Sequence, residues 1–162
     1  MEHDHHALLD RPEYVGTTLS YGDVDEVLLV CHSQAIPDHF DWQMLLERLA
    51  ITDYRVLLVS TCGGSPLPEQ RVSLVRTLRD GARQPPRIAV LSTSPRMRWM
   101  NAALRITSEL DVLTLAFDAV SEAMLFLEGM PNAERVDVAR KRAHYLIEKQ
   151  VAAHQAHFQG FA

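Results

Sequence analysis

The chain has 162 residues, of which 47% are hydrophobic, and a formal net charge of −5. This length is enough for one domain with a substantial core, and the acidic balance argues against general nucleic-acid binding. No apolar run approaches the ~20 residues that a membrane span needs, so we expect no membrane insertion. Two cysteines cannot form a disulfide framework and the N-terminus lacks a signal-peptide pattern, so we expect a cytoplasmic protein.

Residues 1–13 are predicted to form a flexible N-terminus. They are mostly polar and contain His3, His5 and His6 beside Asp4. Three histidines on an unanchored segment make a weak metal site, so a frayed terminus is favoured over a metal-binding one. We predict no metal ion and no other cofactor for the chain.

From residue 14 onward the sequence shows patterns that are typical of strands and then of a helix. Residues 14–21 (YVGTTLSY) are typical of a short edge strand, Gly22 and Asp23 predict a turn, and residues 26–32 (EVLLVCH) predict a buried strand. A helix is then predicted to open at Pro37 and Asp38. Its predicted buried face consists of Phe40, Leu45, Leu46 and Leu49, with Trp42 and Met44 at the border.

Residues 55–79 form the segment around which the chain is organised. The unbroken apolar run 56–59 is typical of a strand covered on both faces, so Leu57 and Leu58 should be buried on opposite sides. Residues 60–68 predict a loop, and a helix is predicted from Glu69 to Gly81. The inner face of that helix is predicted to contain Val72, Leu74, Val75 and Leu78.

The second half of the chain repeats this alternation. Residues 87–91 (RIAVL) predict a buried strand, and Ser94-Pro95 predicts the start of a helix that runs to about residue 107. Residues 112–117 predict the last strand, and Asp118 is predicted to cap the helix after it. A long polar helix is predicted over residues 133–158, with a narrow stripe of Val136, Ala139, Ala143, Leu146, Ile147 and Val151.

Strands that alternate with helices predict an α/β fold with a mixed, mostly parallel sheet. The first strand is the one expected to pair antiparallel, at an edge. We therefore divide the chain into a flexible N-terminus (1–13), an α/β domain (14–130) and a C-terminal helical extension (131–162).

The order of features over residues 87–127 is similar to a known family. A strand leads to a Ser-Pro-Arg helix start, then come a short helix, another strand and an acidic-capped helix with an Ala-rich pattern. The matching residues are Ser94, Pro95, Arg96, Arg98, Asp118, Glu122 and Ala123. From about residue 14 to 128 the chain resembles the STAS domain of bacterial anti-sigma factor antagonists. The resemblance implies a signalling protein that acts by protein-protein contact.

The resemblance also implies a phosphorylation switch, from which this chain departs. Regulatory STAS proteins carry an Asp-Ser-Ser-Gly-like segment between the third strand and its helix, where a partner kinase phosphorylates a serine. The matching stretch here is GGSPLPEQR, and Pro68 or Glu69 falls near the phosphorylated position. We therefore predict no phosphorylation there, with Ser65 as the remaining candidate acceptor.

The loop and the helix start are the predicted partner-binding site, made of Thr61, Gly63, Gly64, Ser65, Glu69 and Gln70. The loop amides before the helix could bind a phosphate or carboxylate, but we favour the interpretation that glycines and prolines shape a tight connection. Cys62 could have a lowered pKa in this position, although buried and inert thiols are favoured for it and for Cys31.

We predict no catalytic residues and a non-enzymatic regulatory or scaffolding protein. Its partner would be a kinase-like or sigma-regulatory protein, and pairing with a second copy through the C-terminal helix is favoured over docking of that helix on its own domain. One alternative is a small-ligand sensor with a pocket around Trp42, Met97, Trp99 and Met100. The least favoured alternative is a small α/β enzyme, because the sequence shows no recognisable combination of a nucleophile and a base.

Overall fold

A six-stranded sheet forms the centre of the protein. The computed structural model describes residues 13–24, 26–51, 54, 56–81, 86–94, 96, 110–129 and 133–160. The strands lie side by side in the order of the sequence. They are β1 (Tyr14–Val15), β2 (Leu19–Val24), β3 (Val27–His32), β4 (Val56–Thr61), β5 (Arg87–Ser92) and β6 (Asp111–Ala116). β1, β2 and β3 pair antiparallel, whereas β3 to β6 are all parallel. The predicted α/β fold with a mixed, mostly parallel sheet is therefore confirmed.

The described residues form four helices, which cover both faces of the sheet. They are α1 (His39–Ile51), α2 (Pro68–Gly81), α3 (Val120–Glu128) and α4 (Ala133–Gln159). α1 and α2 pack on one face, and α3 and α4 pack on the other. Most of the helix predicted after Ser94 lies outside the described residues. The predicted C-terminal helix is present.

The central strand β4 contributes to both cores, as its apolar run predicts. Leu57 is 3% exposed and packs with α1 and α2, while Leu58 is 1% exposed and packs with α3 and α4. Successive side chains of a strand point to opposite faces, so an apolar residue at every position requires a cover on both sides.

The predicted single strand over residues 14–21 is wrong, because a turn divides it into β1 and β2. The buried carboxylate of Asp41 on α1 accepts hydrogen bonds from Tyr14 Oη (2.5 Å), Thr18 N (2.8 Å), Thr18 Oγ1 (2.6 Å) and Leu19 N (3.1 Å). A Cβ on Gly16 would lie 2.2 Å from Asp41 Oδ1, so only glycine permits this approach. The turn is thus folded around a helix side chain.

The turn predicted at Gly22 and Asp23 is also wrong, since both residues lie inside β2 and pair with β3. Asp23 is buried there because Arg48 Nη2 lies 2.7 Å from its Oδ2 and Tyr54 Oη donates to its Oδ1 at 2.5 Å. Arg48 Nε also donates to Tyr54 Oη at 2.8 Å. A paired and hydrogen-bonded carboxylate tolerates burial that an isolated one would not.

Several predicted helix positions are wrong in detail. Phe40, Val72 and Val151 are 67%, 59% and 51% exposed, although the hydrophobic spacing predicts an inner-face position for each. Trp42, predicted at a border, is buried instead and donates from Nε1 to Ser73 Oγ at 3.1 Å. Asp118 does not cap α3 with its side chain, because the residue at the cap is Ala119.

α4 docks on its own domain along most of its length. Val136, Ala139 and Leu146 are buried in the core on the α3 side of the sheet. Arg142 Nη2 lies 2.7 Å from Glu13 Oε2, and Gln150 Nε2 lies 3.4 Å from the carbonyl oxygen of Cys31. Beyond Gln150 no described residue of α4 is buried. Docking on the domain, the alternative to pairing with a second copy, therefore holds for this part of the helix.

Candidate functional site

The carboxyl ends of the parallel strands define one edge of the sheet, where ligand and partner sites of open α/β sheets are usually found. The loops after β3 and β4 meet at this edge, together with Ser94 and Arg96, which follow β5. All six predicted site residues lie here, between the end of β4 and the first turn of α2.

The last residues of the neighbouring strands β3, β4 and β5 are polar, and their side chains form a row across the sheet. Register places His32 opposite Thr61, and Thr61 opposite Ser92, on the sheet face covered by α1 and α2. All three are buried, with 6%, 0% and 7% exposure. The row depends on strand register, which the sequence alone does not provide.

Two members of this row, Thr61 and Ser92, form hydrogen bonds with the backbone of the loops that follow them. Thr61 Oγ1 donates to the carbonyl oxygen of Gly64 at 2.9 Å and accepts from Gly63 N at 3.2 Å. Ser92 Oγ accepts from Ser94 N at 3.0 Å. These hydroxyls stabilise turns, and no base is placed on either of them among the described hydrogen bonds.

His32 is the third member, and its environment is different. Burial lowers the pKa of its imidazole from 6.5 to about 4, so the ring is neutral at physiological pH. Its ring centroid lies 6.3 Å from that of Trp42. Among the described residues, none forms a hydrogen bond with His32 Nδ1.

The amides at the start of the 62–67 loop are already occupied. Cys62 N donates to the carbonyl oxygen of His32 at 3.1 Å, and Gly64 N donates to that of Ser33 at 2.9 Å. Gly63 has a φ of 115°, and a Cβ on Gly64 would lie 2.2 Å from the carbonyl oxygen of Ala35. The glycines therefore permit close contact between two loops. The occupied amides of Cys62, Gly63 and Gly64 agree with the predicted tight connection and leave no donor there for a phosphate.

Gln70 ties the same loops to α2. Its Oε1 accepts from Leu67 N at 2.8 Å, and its Nε2 donates to the carbonyl oxygen of Pro37 at 2.8 Å. The first contact is half of a capping box, in which the third helical residue reaches back to the helix start. Arg71 Nη1 donates to the carbonyl oxygen of Pro66 at 2.8 Å. Gln70, predicted to bind a partner, has a structural role at this edge.

Exposed apolar side chains surround a surface depression of about 410 Å³ at this edge. Ile36 and Leu67 line the depression and are 54% and 39% exposed. Val72 lies one helical turn after Pro68, another lining residue, and is 59% exposed. We call Ile36, Leu67 and Val72 the loop-edge surface. The sequence pattern does not predict this surface, because it places Val72 on the inner face of its helix and gives no signal for Ile36.

The candidate phosphoacceptors differ in accessibility. Ser60 and Thr61 are 3% and 0% exposed, whereas Ser65 is half-buried and Glu69 is exposed. Ser65 Oγ lies 3.4 Å from the carbonyl oxygen of Pro66. A kinase could therefore reach Ser65 more readily than the two residues that end β4.

Neither cysteine has the environment of a reactive thiol. Burial raises the pKa of Cys31 to about 12, and the nearby Cys62 adds to this shift. Burial also raises the pKa of Cys62, so the lowered pKa considered for it is wrong. Both thiols are free.

A cavity of about 90 Å³ lies below the loops, between the sheet and α1 and α2. Trp42 lines it, as in the predicted ligand pocket, whereas Met97, Trp99 and Met100 lie outside the described residues.

The histidines at positions 3, 5 and 6 also lie outside the described residues. Within the described ranges, no group of three or more His, Cys, Asp or Glu side chains is placed to hold a metal ion. None of the described helices combines the length and apolar character needed to cross a membrane.

Comparison with protein-family models, with curated proteins and with solved structures finds no match to this chain.

Proposed function

We propose that this chain is a non-enzymatic regulatory or scaffolding protein of STAS-like type, which acts by protein-protein contact through the loop-edge surface. The observation that carries the proposal is the exposure of Ile36, Leu67 and Val72 at one edge of the sheet. Grouped apolar side chains in solvent are a common mark of an interaction site.

The loops that present this surface are held in place by hydrogen bonds, which supports a role in binding. Gly64 N to Ser33 O joins the loops after β3 and β4, and Gln70 Nε2 to Pro37 O joins the first of them to α2. A surface that is ordered before binding loses less conformational entropy when a partner docks. Exposed Glu69 lies beside it and supplies a negative charge where the resemblance expects a phosphate.

The resemblance supplies the kind of partner in this proposal, which is a kinase-like or sigma-regulatory protein in a bacterial cytoplasm. A homodimer is part of the same proposal. It is supported by the part of α4 beyond Gln150, where Val151 and Phe158 are 51% and 64% exposed and lie seven residues apart on one helix face.

Co-purification from the native host tests the contact. Tagged wild-type chain is compared with a Leu67→Ser, Val72→Ser double variant, and Val138→Ser on α4 serves as the matched control because its valine is 43% exposed. We expect a partner recovered with the wild type and the control, and recovered at least about tenfold less with the double variant, a loss of about 1.4 kcal/mol or more. Equal recovery with all three would contradict the proposal.

A further inference from the structure

The cavity between the sheet and α1 and α2 has a mostly apolar lining, and the buried side chain of His32 is part of that lining. Leu57, Val59 and Val90 line it from the strands, and Leu74 and Val75 line it from α2. Its volume of about 90 Å³ lies between the ~30 Å³ share of one liquid water and the ~150 Å³ of a cavity that binds benzene.

The Nδ1 atom of His32 is buried without a hydrogen-bond partner within the described part of the chain. The side chain lines the cavity and is 6% exposed. Its two neighbours in the row, Thr61 and Ser92, both have hydrogen-bond partners, whereas His32 Nδ1 has none among the described residues. Buried polar atoms in folded proteins are almost always paired, so an unpaired one indicates a missing group.

The cavity adjoins the surface depression at the loop edge. Pro66 and Arg71 line both, so these two residues stand between the depression and the cavity. A route from the depression to His32 along the described residues would pass these two side chains.

We propose that this cavity binds a compact, uncharged and mostly apolar molecule that forms one hydrogen bond with the His32 imidazole. The lining around His32 is mostly apolar, and the charged Arg71 stands at the boundary with the depression, so an ion beside His32 would lose its hydration and a charged ligand is disfavoured there. The neutral state of the imidazole agrees with an uncharged partner. The volume limits the ligand to a size below that of benzene. This binding function goes beyond protein-protein contact and does not depend on it.

Nuclear magnetic resonance titration with three small cyclic probes tests the site. Pyrrole donates one hydrogen bond, cyclobutanone accepts one, and cyclobutane forms none. The wild type is compared with His32→Leu, which replaces an unpaired polar group by an apolar one of similar size and should leave folding intact. We expect pyrrole or cyclobutanone, according to the imidazole tautomer, to bind about 3- to 10-fold more weakly to His32→Leu. Cyclobutane should bind the variant at least as well as the wild type.

A second variant tests the location without removing the histidine. Val75→Phe adds volume from α2 into the cavity, and all three probes should lose affinity for it. The proposal is overturned if no probe gives saturable shifts around the cavity in the wild type, which would mean that only water enters. It is also overturned if His32→Leu weakens all three probes equally, or if Val75→Phe binds them as the wild type does.

Discussion

At the scale of single residues, His32 shows how burial decides the charge of a side chain. Its imidazole is neutral because the folded protein surrounds it with apolar groups, and its pKa falls from 6.5 to about 4. Between these two pH values the unfolded chain binds the proton and the folded chain does not. Stability should therefore decrease as the pH falls from about 6.5 to about 4, and this contribution should not change further below that.

Denaturant unfolding at several pH values measures this effect. From neutral pH to about pH 4, the wild type should lose about 3 kcal/mol more of its free energy of unfolding than His32→Leu, which has no proton to gain there. The comparison removes the contribution of the carboxylates, which both proteins share. Parallel curves for the two proteins would show that His32 titrates normally in the folded state.

The loop residues Ser65 and Glu69 decide whether a phosphorylation switch is present. Ser60 and Thr61 are buried, and Pro68 or Glu69 falls where the resemblance expects the phosphorylated serine. We expect the chain purified from its native host to show its unmodified mass by intact mass spectrometry. If phosphate is present at high stoichiometry, it should disappear in Ser65→Ala. Phosphate that maps to Ser60 or Thr61 would contradict the structure, because both hydroxyls are inaccessible.

At the scale of elements, apolar runs predicted the strands that are buried on both faces. β3, β4 and β5 follow from unbroken runs of Val, Leu, Ile and Ala, and the alternation with helices gave the parallel part of the sheet. The errors occur where a distant side chain overrides the local pattern. Asp23 is tolerated in β2 through Arg48 and Tyr54, and the turn after β1 depends on Asp41. Such contacts join residues more than 20 positions apart, which a local pattern cannot show.

In the candidate site too, some features follow from the local sequence pattern and others depend on contacts between distant parts of the chain. Its position at the loop after β4 follows from the strand-loop-helix pattern, and the glycines indicated a tight connection. The row of His32, Thr61 and Ser92 depends on the register of three strands, and the exposure of Ile36 and Val72 depends on how α1 and α2 sit on the sheet. Hydrophobic spacing predicts one inner face for a helix, but it does not predict which apolar residues stay in solvent.

The two-sided core gives a direct mutational test. Leu57→Ala and Leu58→Ala should each lower the free energy of unfolding by about 2–5 kcal/mol, because each removes buried methyl groups and leaves space. Val72→Ala, at an exposed apolar position, should change it by less than about 0.5 kcal/mol. Chemical denaturation of the three variants provides the values. A near-neutral effect at either leucine would be incompatible with helices on both faces of the sheet.

At the scale of the whole molecule, α4 is longer than its docking site. Its 27 residues extend about 40 Å at about 1.5 Å per residue, and its last buried residue is Gln150. A truncation before the helix would remove Val136, Ala139 and Leu146 from the core, so point variants beyond Gln150 are the better test of a dimer.

Light scattering of the full chain measures the oligomeric state. We expect a dimer for the wild type and a monomer for the Val151→Ser, Phe158→Ser double variant, because these exposed apolar residues form the proposed contact. Val138→Ser, at another exposed valine of the same helix, should remain dimeric. A monomeric wild type, or a double variant that stays dimeric, would show that this part of α4 is not a dimer interface.

The central claim is that the loop-edge surface contacts another protein, and site-specific photo-crosslinking in the native host tests it most directly. A photoreactive amino acid replaces Leu67 or Val72, and the same replacement at Val138 of α4 provides the control. We expect a discrete adduct of one partner protein from both loop-edge positions and none from the control. No adduct from either position, or the same adduct with equal yield from Val138, would contradict it.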